Sequence, residues 1–314
     1  LVETTDWGPR VSVYSAPWYT PAVQRLLDLA LEEDVGRGDV TSAAVIDETQ
    51  EAEADIIAGE RGVVCGLGLM EAVFTRFDWR TRVRAKVADG DPVAKGTLVA
   101  NVRGPAQALL AGERTALNFL QHLSGVATLT QAFVAASEGA KVRVADTRKT
   151  TPGSRALQKY AVRTGGGANH RSDLASGILI KDNHLALVGS VREAVRRARA
   201  GASHMLRIGV EVDDLNQLDE ALEAGAEVIL LDNFQIREMA EAVKRVRERA
   251  PKTVIEASGG VSLDRIRDIS KTGVDVISIG ALTHSARAID FSCDIRPVDA
   301  SARAVDQERP IRNT

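Results

Sequence analysis

The sequence predicts a mixed protein, with an α+β first part followed by an α/β second part built as a (β/α) barrel. After Glu138-Gly139, six short apolar segments alternate with amphipathic helical ones, the pattern of parallel strands buried on both faces. Before it, from about Ala52 to Arg103, short β segments are separated by turn signals. No GxGxxG follows the first strand of the second part, which removes the main support for a dinucleotide-binding sheet. Six or seven strand–helix units fit a barrel better than an open doubly wound sheet.

Residues 1–19 are polar and aperiodic and read as a poorly ordered tail. A helix starts with Thr20 as N-cap and Pro21 at the first helical position. Val23, Leu26, Leu27, Ala30 and Leu31 give it one buried face, and it ends near Glu33-Asp34, before Gly36 and Gly38. Strands are expected at Ala54–Ala58, Gly62–Gly66, Arg82–Val87 and Thr97–Val102. In the third, Val83, Ala85 and Val87 point inward and Arg82, Arg84 and Lys86 outward. Gly104-Pro105 opens a long helix with Leu109, Leu110, Leu117, Phe119, Leu120 and Leu123 on its apolar face. Arg114 and Asn118 share another face. The strands of the second part are Val142–Ala145, Ile178–Ile180, Leu206–Val210, Val228–Leu231, Val254–Ala257 and Val274–Ile279. The helices between them include Val191–Ala200, Leu215–Ala224, Ile236–Ala250 and Leu263–Lys271.

With 314 residues, the chain is long enough for a sizeable core in one large domain or two modest ones. A net charge of -3 and a pI of about 6.0 disfavour general binding to nucleic acid or acidic membranes. Cys65 and Cys293 lack the spacing of a zinc site and read as free thiols in a reducing compartment. No apolar run approaches the ~20 residues that span a bilayer. Leu1–Thr20 lacks a basic segment followed by an apolar one, so no signal peptide is expected, and the cytoplasm is.

Charge is concentrated in residues 146–184. The stretch holds Asp146-Thr147-Arg148-Lys149, then Asn169-His170-Arg171, then Lys181-Asp182-Asn183-His184. In (β/α) barrels the chemistry gathers at the C-terminal ends of the strands. Here those ends supply Arg148 and Lys149, then Lys181, Glu211, Asp232-Asn233, Glu256 with Ser258-Gly259-Gly260, and Ser278 with Gly280-Ala281. One charged residue after a strand is ordinarily the solvated start of a loop. Six polar ends in succession point to a shared site. Lys and Arg are rarely buried without anionic partners, so converging cations imply a small ligand with more than one carboxylate or phosphate. Backbone N–H groups of Ser258–Gly260 and Gly280-Ala281 suit a phosphate. Glu211 and Asp232 suit Mg²⁺ or sugar hydroxyls. Gly165-Gly166-Gly167 lacks the Lys-Ser/Thr spacing of a P-loop. His122 and His204, in apolar sequence surroundings, read as structural, and His170 and His184 as site candidates.

These residues carry a family resemblance. Glu33-Asp34 with Gly38-Asp39-Val40-Thr41-Ser42, Gly112–Asn118, Asp146–Gly153, Asn169-His170-Arg171, Lys181–His184, Ser258-Gly259-Gly260 and Gly280–His284 resemble quinolinate phosphoribosyltransferase over about residues 20–295. The resemblance implies transfer of phosphoribosyl from 5-phosphoribosyl 1-diphosphate (PRPP) to the quinolinate ring nitrogen. Decarboxylation then gives nicotinate mononucleotide for NAD synthesis. It implies an N-terminal α/β sandwich domain, residues 20–118 plus about 286–299, and an incomplete C-terminal barrel, 119–285, with a second tail at 300–314. It also implies a homodimer, sometimes assembled further, in which Arg114 reaches the partner's site. Arg148, His170, Arg171 and Lys181 would meet the two carboxylates, with Thr147 beside them and Lys149 facing the substrates. Glu211 and Asp232 would hold ribose hydroxyls and Mg²⁺. Ser258-Gly259-Gly260 and Gly280-Ala281-Leu282 would take the 5-phosphate. Lys149, Lys181, Glu211 and Asp232 are the catalytic candidates. The rival readings are a phosphoribosyltransferase for another aromatic acid such as nicotinate, a Schiff-base lyase through Lys181, and a non-catalytic anion binder.

Overall fold

The computed structural model describes residues 16–298. The second expected tail and most of the first lie outside the described residues. The described chain forms two compact units. One holds Ala16–Gly125 and the stretch from Arg287 onward, and the other holds Val126–Ala286. The boundary expected after residue 118 falls inside one continuous helix.

In the first unit, α1 (Pro21–Val35) and α2 (Val40–Val45) precede β1 (Glu51–Ala58), β2 (Gly62–Val63) and α3 (Leu67–Phe77). Then come β3 (Arg82–Ala85), β4 (Pro92–Val93), β5 (Leu98–Pro105) and the long α4 (Ala106–Ala136). Thr20 caps α1 through its side chain, as the sequence predicts. Asp39 caps α2 with bonds from the N–H groups of Thr41 and Ser42. Within the expected tail, residues 16–19 are ordered instead. Pro17–Tyr19 form a 3-10 turn, and a Cβ on Gly68 would lie 2.5 Å from the Trp18 ring.

The main sheet of this unit is antiparallel, in the order β12-β1-β5-β3, with β12 spanning Phe291–Pro297. Every second residue of β1 is buried, which places Ala54 and Ile56 in a core with Leu27, Met70, Val73, Phe74, Leu117 and Leu120. Two expectations fail here. Gly104-Pro105 does not open the helix but ends β5, opposite Ala52 and Glu51. β3 stops at Ala85, which is exposed, and only Val83 and Val87 reach the core.

The second unit continues with β6 (Arg143–Ala145), α5 (Arg155–Thr164), β7 (Ile178–Ile180), α6 (Asp182–Val188), α7 (Val191–Gly201) and β8 (Ile208–Val212). There follow α8 (Leu215–Glu223), β9 (Val228–Asp232), α9 (Ile236–Arg249), β10 (Val254–Ser258), α10 (Ile266–Ser270), β11 (Val276–Ser278) and α11 (Ala281–His284). The six strands are parallel, in the order β6-β11-β10-β9-β8-β7. Beyond β6 there is one isolated bridge, Ala145 to Ala168. Among the described residues no ladder joins the two edge strands, so the barrel is incomplete. His204, expected to be structural, is exposed. His122 is half-buried on α4, and desolvation lowers its pKa.

Phe74 is fully buried at the centre of the first core. Phe74→Ala is expected to cost about 3–5 kcal/mol of stability, read as a shift of the denaturant midpoint with an unchanged slope.

Candidate active site

Side chains alternate along a strand, and the register of the parallel sheet decides which of them share a face. Glu211, Leu230, Glu256 and Val276 lie opposite one another on β8, β9, β10 and β11. Two residues further along, Asp232 stands opposite Ser258. Leu179 lies opposite Gly209, so Lys181 arrives beside Glu211, and the two form an ion pair. Every second residue thus faces one cavity of about 500 Å³ at the C-terminal ends of the strands. The loops after β6 and α5 complete it with Thr147, Arg148, Lys149, His170 and Arg171.

A buried pair beneath the cavity holds the cationic loops. Asp146, fully buried at the end of β6, is bonded by Lys159 of α5. The Asp146 carboxylate also accepts the backbone N–H of His170 at 2.9 Å and the Asn169 side chain at 2.6 Å. Lys159 donates to the His170 carbonyl at 2.9 Å. The pair therefore grips both backbone groups of His170. Arg148 and Arg171 receive no such compensation. Among the described residues neither forms an ion pair, and the buried Nε of each lacks a hydrogen-bond partner. Arg171 does donate through Nη1 to the Gly177 carbonyl at 2.8 Å. Burial, then the adjacent Arg148 charge, lowers the Arg171 pKa. Burial, followed by the charges of Lys159, Arg171, Lys181 and Arg148, pushes His170 down to about 4. Its ring is neutral near pH 7. Nδ1 accepts the Arg171 N–H at 2.8 Å, which puts the ring proton on Nε2.

The acidic side carries Glu211, Asp232 and Glu256. Asp232 accepts the Asn233 amide at 2.8 Å. Glu256 is only 4% exposed, and desolvation pushes its carboxyl up to about 7 against the opposing Ser278 hydrogen bond and Lys181 charge. Its Oε1 has no hydrogen-bond partner and lies 3.6 Å from His170 Nε2. In the sequence Glu256 stands out only as one polar strand end. The available signal was register, since Glu256 occupies the same inner layer as Glu211, across Leu230.

At the other end of the cavity, Ser258-Gly259-Gly260 makes a turn in which both glycines have positive φ, 91° and 55°. A Cβ on Gly259 would lie 2.3 Å from Asn233 Oδ1, so no side chain fits. Gly280, Ala281 and Leu282 do not line the cavity. Gly280 lies against Lys149, since a Cβ on it would be 3.1 Å from Lys149 Cδ, and Thr283 donates to the Lys149 carbonyl at 2.8 Å. His184 is exposed and accepts the Lys181 N–H at 2.9 Å, capping α6 rather than facing the cavity. Arg114 belongs to the other unit, on α4, where its exposed side chain lies 3.8 Å from Glu113. Among the described residues no cluster of three or more His, Cys, Asp or Glu could alone hold a metal. Glu211 and Asp232 nonetheless fit Mg²⁺, which ordinarily takes one or two carboxylates and completes its shell with water and substrate phosphates.

The family model for the C-terminal domain of quinolinate phosphoribosyl transferase matches residues 126–294, and that for its N-terminal domain matches residues 39–124. A Bacillus subtilis protein named probable nicotinate-nucleotide pyrophosphorylase (carboxylating) is 43% identical over 274 residues, 87% of this chain and 93% of its own length. The human nicotinate-nucleotide pyrophosphorylase (carboxylating) is 40% identical, over 85% of this chain and 89% of its own. The crystal structure of NadC from Streptococcus pyogenes superposes with a TM-score of 0.84 at 41% identity, covering 88% of this chain and 97% of that one. With both domain models matched in order, and these relatives covered nearly end to end, the chain belongs to the quinolinate phosphoribosyltransferase family.

Proposed function

We propose that the chain transfers phosphoribosyl from PRPP to the ring nitrogen of quinolinate, with loss of CO₂, giving nicotinate mononucleotide and diphosphate in de novo NAD biosynthesis. The observation that carries this is the pair of uncompensated guanidiniums, Arg148 and Arg171, in one cavity with carboxylates on its other side. A dianion supplies the charge that the cationic side lacks, and planar guanidiniums match carboxylates. Family membership names that dianion as quinolinate rather than another aromatic acid.

Arg148, Arg171 and the neutral Nε2–H of His170 would hold the two carboxylates, with Thr147 at the rim. Lys149, exposed at the mouth, would meet the diphosphate. Ser258-Gly259-Gly260 would receive the 5-phosphate through backbone N–H groups, and Thr283 and Gly280 would keep Lys149 in place. As diphosphate leaves, positive charge develops at the sugar carbon. Glu211 and Asp232 would stabilise it, with Lys181 holding Glu211 in position. The ring nitrogen then bonds to that carbon. The resulting pyridinium stabilises the electron pair left at the ring carbon when CO₂ departs, and a proton fills that position. Positioning and electrostatics suffice, without a covalent enzyme intermediate. Lys181 is occupied as the partner of Glu211, so the structure adds no support for a Schiff-base lyase.

Mg²⁺ belongs to the same proposal. It would sit at Glu211 and Asp232 and neutralise diphosphate charge. So does a homodimer in which Arg114 of one copy reaches the other's site. A cytoplasmic setting is part of it too, in keeping with Cys65 and Cys293 forming no disulfide with each other. Among the described residues no helix is long and apolar enough to cross a membrane.

Incubation with quinolinate, PRPP and Mg²⁺ is expected to yield nicotinate mononucleotide, CO₂ and diphosphate in equal amounts, and EDTA to stop the reaction. Nicotinate in place of quinolinate should give no nucleotide, and if it serves equally well the diacid reading is wrong. Lys149→Ala and Arg171→Ala are each expected to lower kcat/KM by about two orders of magnitude or more while leaving the melting temperature nearly unchanged. Near wild-type kinetics in both variants would remove these assignments.

A further inference from the structure

One carboxyl in the cavity has no part in the roles assigned above. Glu256 sits in the middle of β10, on its inner face, with Leu230 of β9 to one side and Val276 of β11 to the other. It lines the same cavity as Arg148 and Arg171 yet is only 4% exposed. Its Oε1 finds no hydrogen-bond partner. His170 Nε2, at 3.6 Å, is beyond ordinary hydrogen-bond distance. The other groups acting on it are the Ser278 hydroxyl of β11 and the charges of Lys181, Glu211 and Arg143.

A carboxyl so placed has two ways to meet an incoming dianion. Ionised, it presents a like charge at close quarters in a desolvated place. Neutral, it carries an O–H that a carboxylate can accept. We propose that Glu256 is a further substrate-contacting residue that receives the dianion as a neutral acid, its O–H turned to a substrate carboxylate, so that binding draws a proton from solvent. One proton moves from water to Glu256, and no other bond is made or broken. The proposal rests on the diacid reading of the site and adds to it a proton-linked binding step.

The electrostatics agree. Burial brings Glu256 up to about 7 before any guest arrives, and a dianion alongside raises it further. His170, at about 4, is neutral in the free site through the same range, and proton uptake by its ring instead would persist in Glu256→Gln. Between pH 6 and 8 the free site passes from mostly neutral to mostly anionic at Glu256, and only the neutral form welcomes the guest.

Calorimetric titration of quinolinate into the full chain, without metal or PRPP, tests this in buffers of low and high ionisation enthalpy. At pH 7 binding should take up about half a proton per site, and affinity should weaken about tenfold from pH 6 to pH 8. Glu256→Gln keeps the shape and a donor but cannot ionise. It should bind with no proton uptake, with no pH dependence over this range, and at pH 8 at least as tightly as wild type. A residue of merely structural importance would not tighten binding when changed. KM for quinolinate at saturating PRPP and Mg²⁺ reads the same pH dependence during turnover, and the wild-type measurements decide the matter if the variant does not fold. Product formed with a KM for quinolinate flat from pH 6 to 8 overturns this inference alone. So does a folded Glu256→Gln that keeps the proton uptake or loses affinity at pH 8. No product at any pH overturns the reading on which it rests.

Discussion

The buried ion pair between Asp146 and Lys159 is the contact on which the site depends. Asp146 directly follows β6 and immediately precedes Thr147, Arg148 and Lys149, while Lys159 rises from α5. Between them they bond both backbone groups of His170, and Asp146 bonds Asn169 as well. The loops on either side of α5 are thereby fixed to one point. A buried pair is weak evidence for net stability, because desolvation offsets much of its attraction. Its value here is geometric, since it sets where the unpaired cations stand.

Those cations remain unpaired because the fold keeps the acids on the other side. Glu211 and Asp232 come from β8 and β9, whereas Arg148 and Arg171 come from the loops after β6 and α5. Lys181 is the cation that pairs with Glu211, and His170 approaches Glu256 at 3.6 Å. The cavity therefore has a cationic wall, an acidic wall and a glycine turn. That division matches a ligand pair in which one molecule carries carboxylates and the other carries a sugar and phosphates. A protein that neutralised every charge internally would have a more comfortable ground state and no such preference.

Much of this was legible in the sequence, for identifiable reasons. The alternation of apolar strands with amphipathic helices announced the parallel sheet, because a strand covered on both faces reads as a near-continuous apolar run. The strand-end residues were legible because the side-chain period is two and the ends are polar. Other features were not. α3 was hidden by Gly66 and Gly68, which look like turn signals, although Gly66 in fact caps that helix in a left-handed conformation. Gly104-Pro105 looks like a helix start but ends β5, where pairing with β1 overrode local preference. The place of Gly280 and Thr283 against Lys149 depends on packing between distant segments, which no local pattern carries. Glu256 was visible as a letter, but its isolation is a property of burial.

The bond from Arg171 to the Gly177 carbonyl has a thermodynamic consequence. An arginine side chain holds about 2 kcal/mol of rotamer entropy when free. Here the chain's own backbone fixes the guanidinium before any guest is present, so that loss of freedom is charged to folding rather than to complex formation. The arginine waits in place like a latch already set, and the arriving anion has only its own motions to give up.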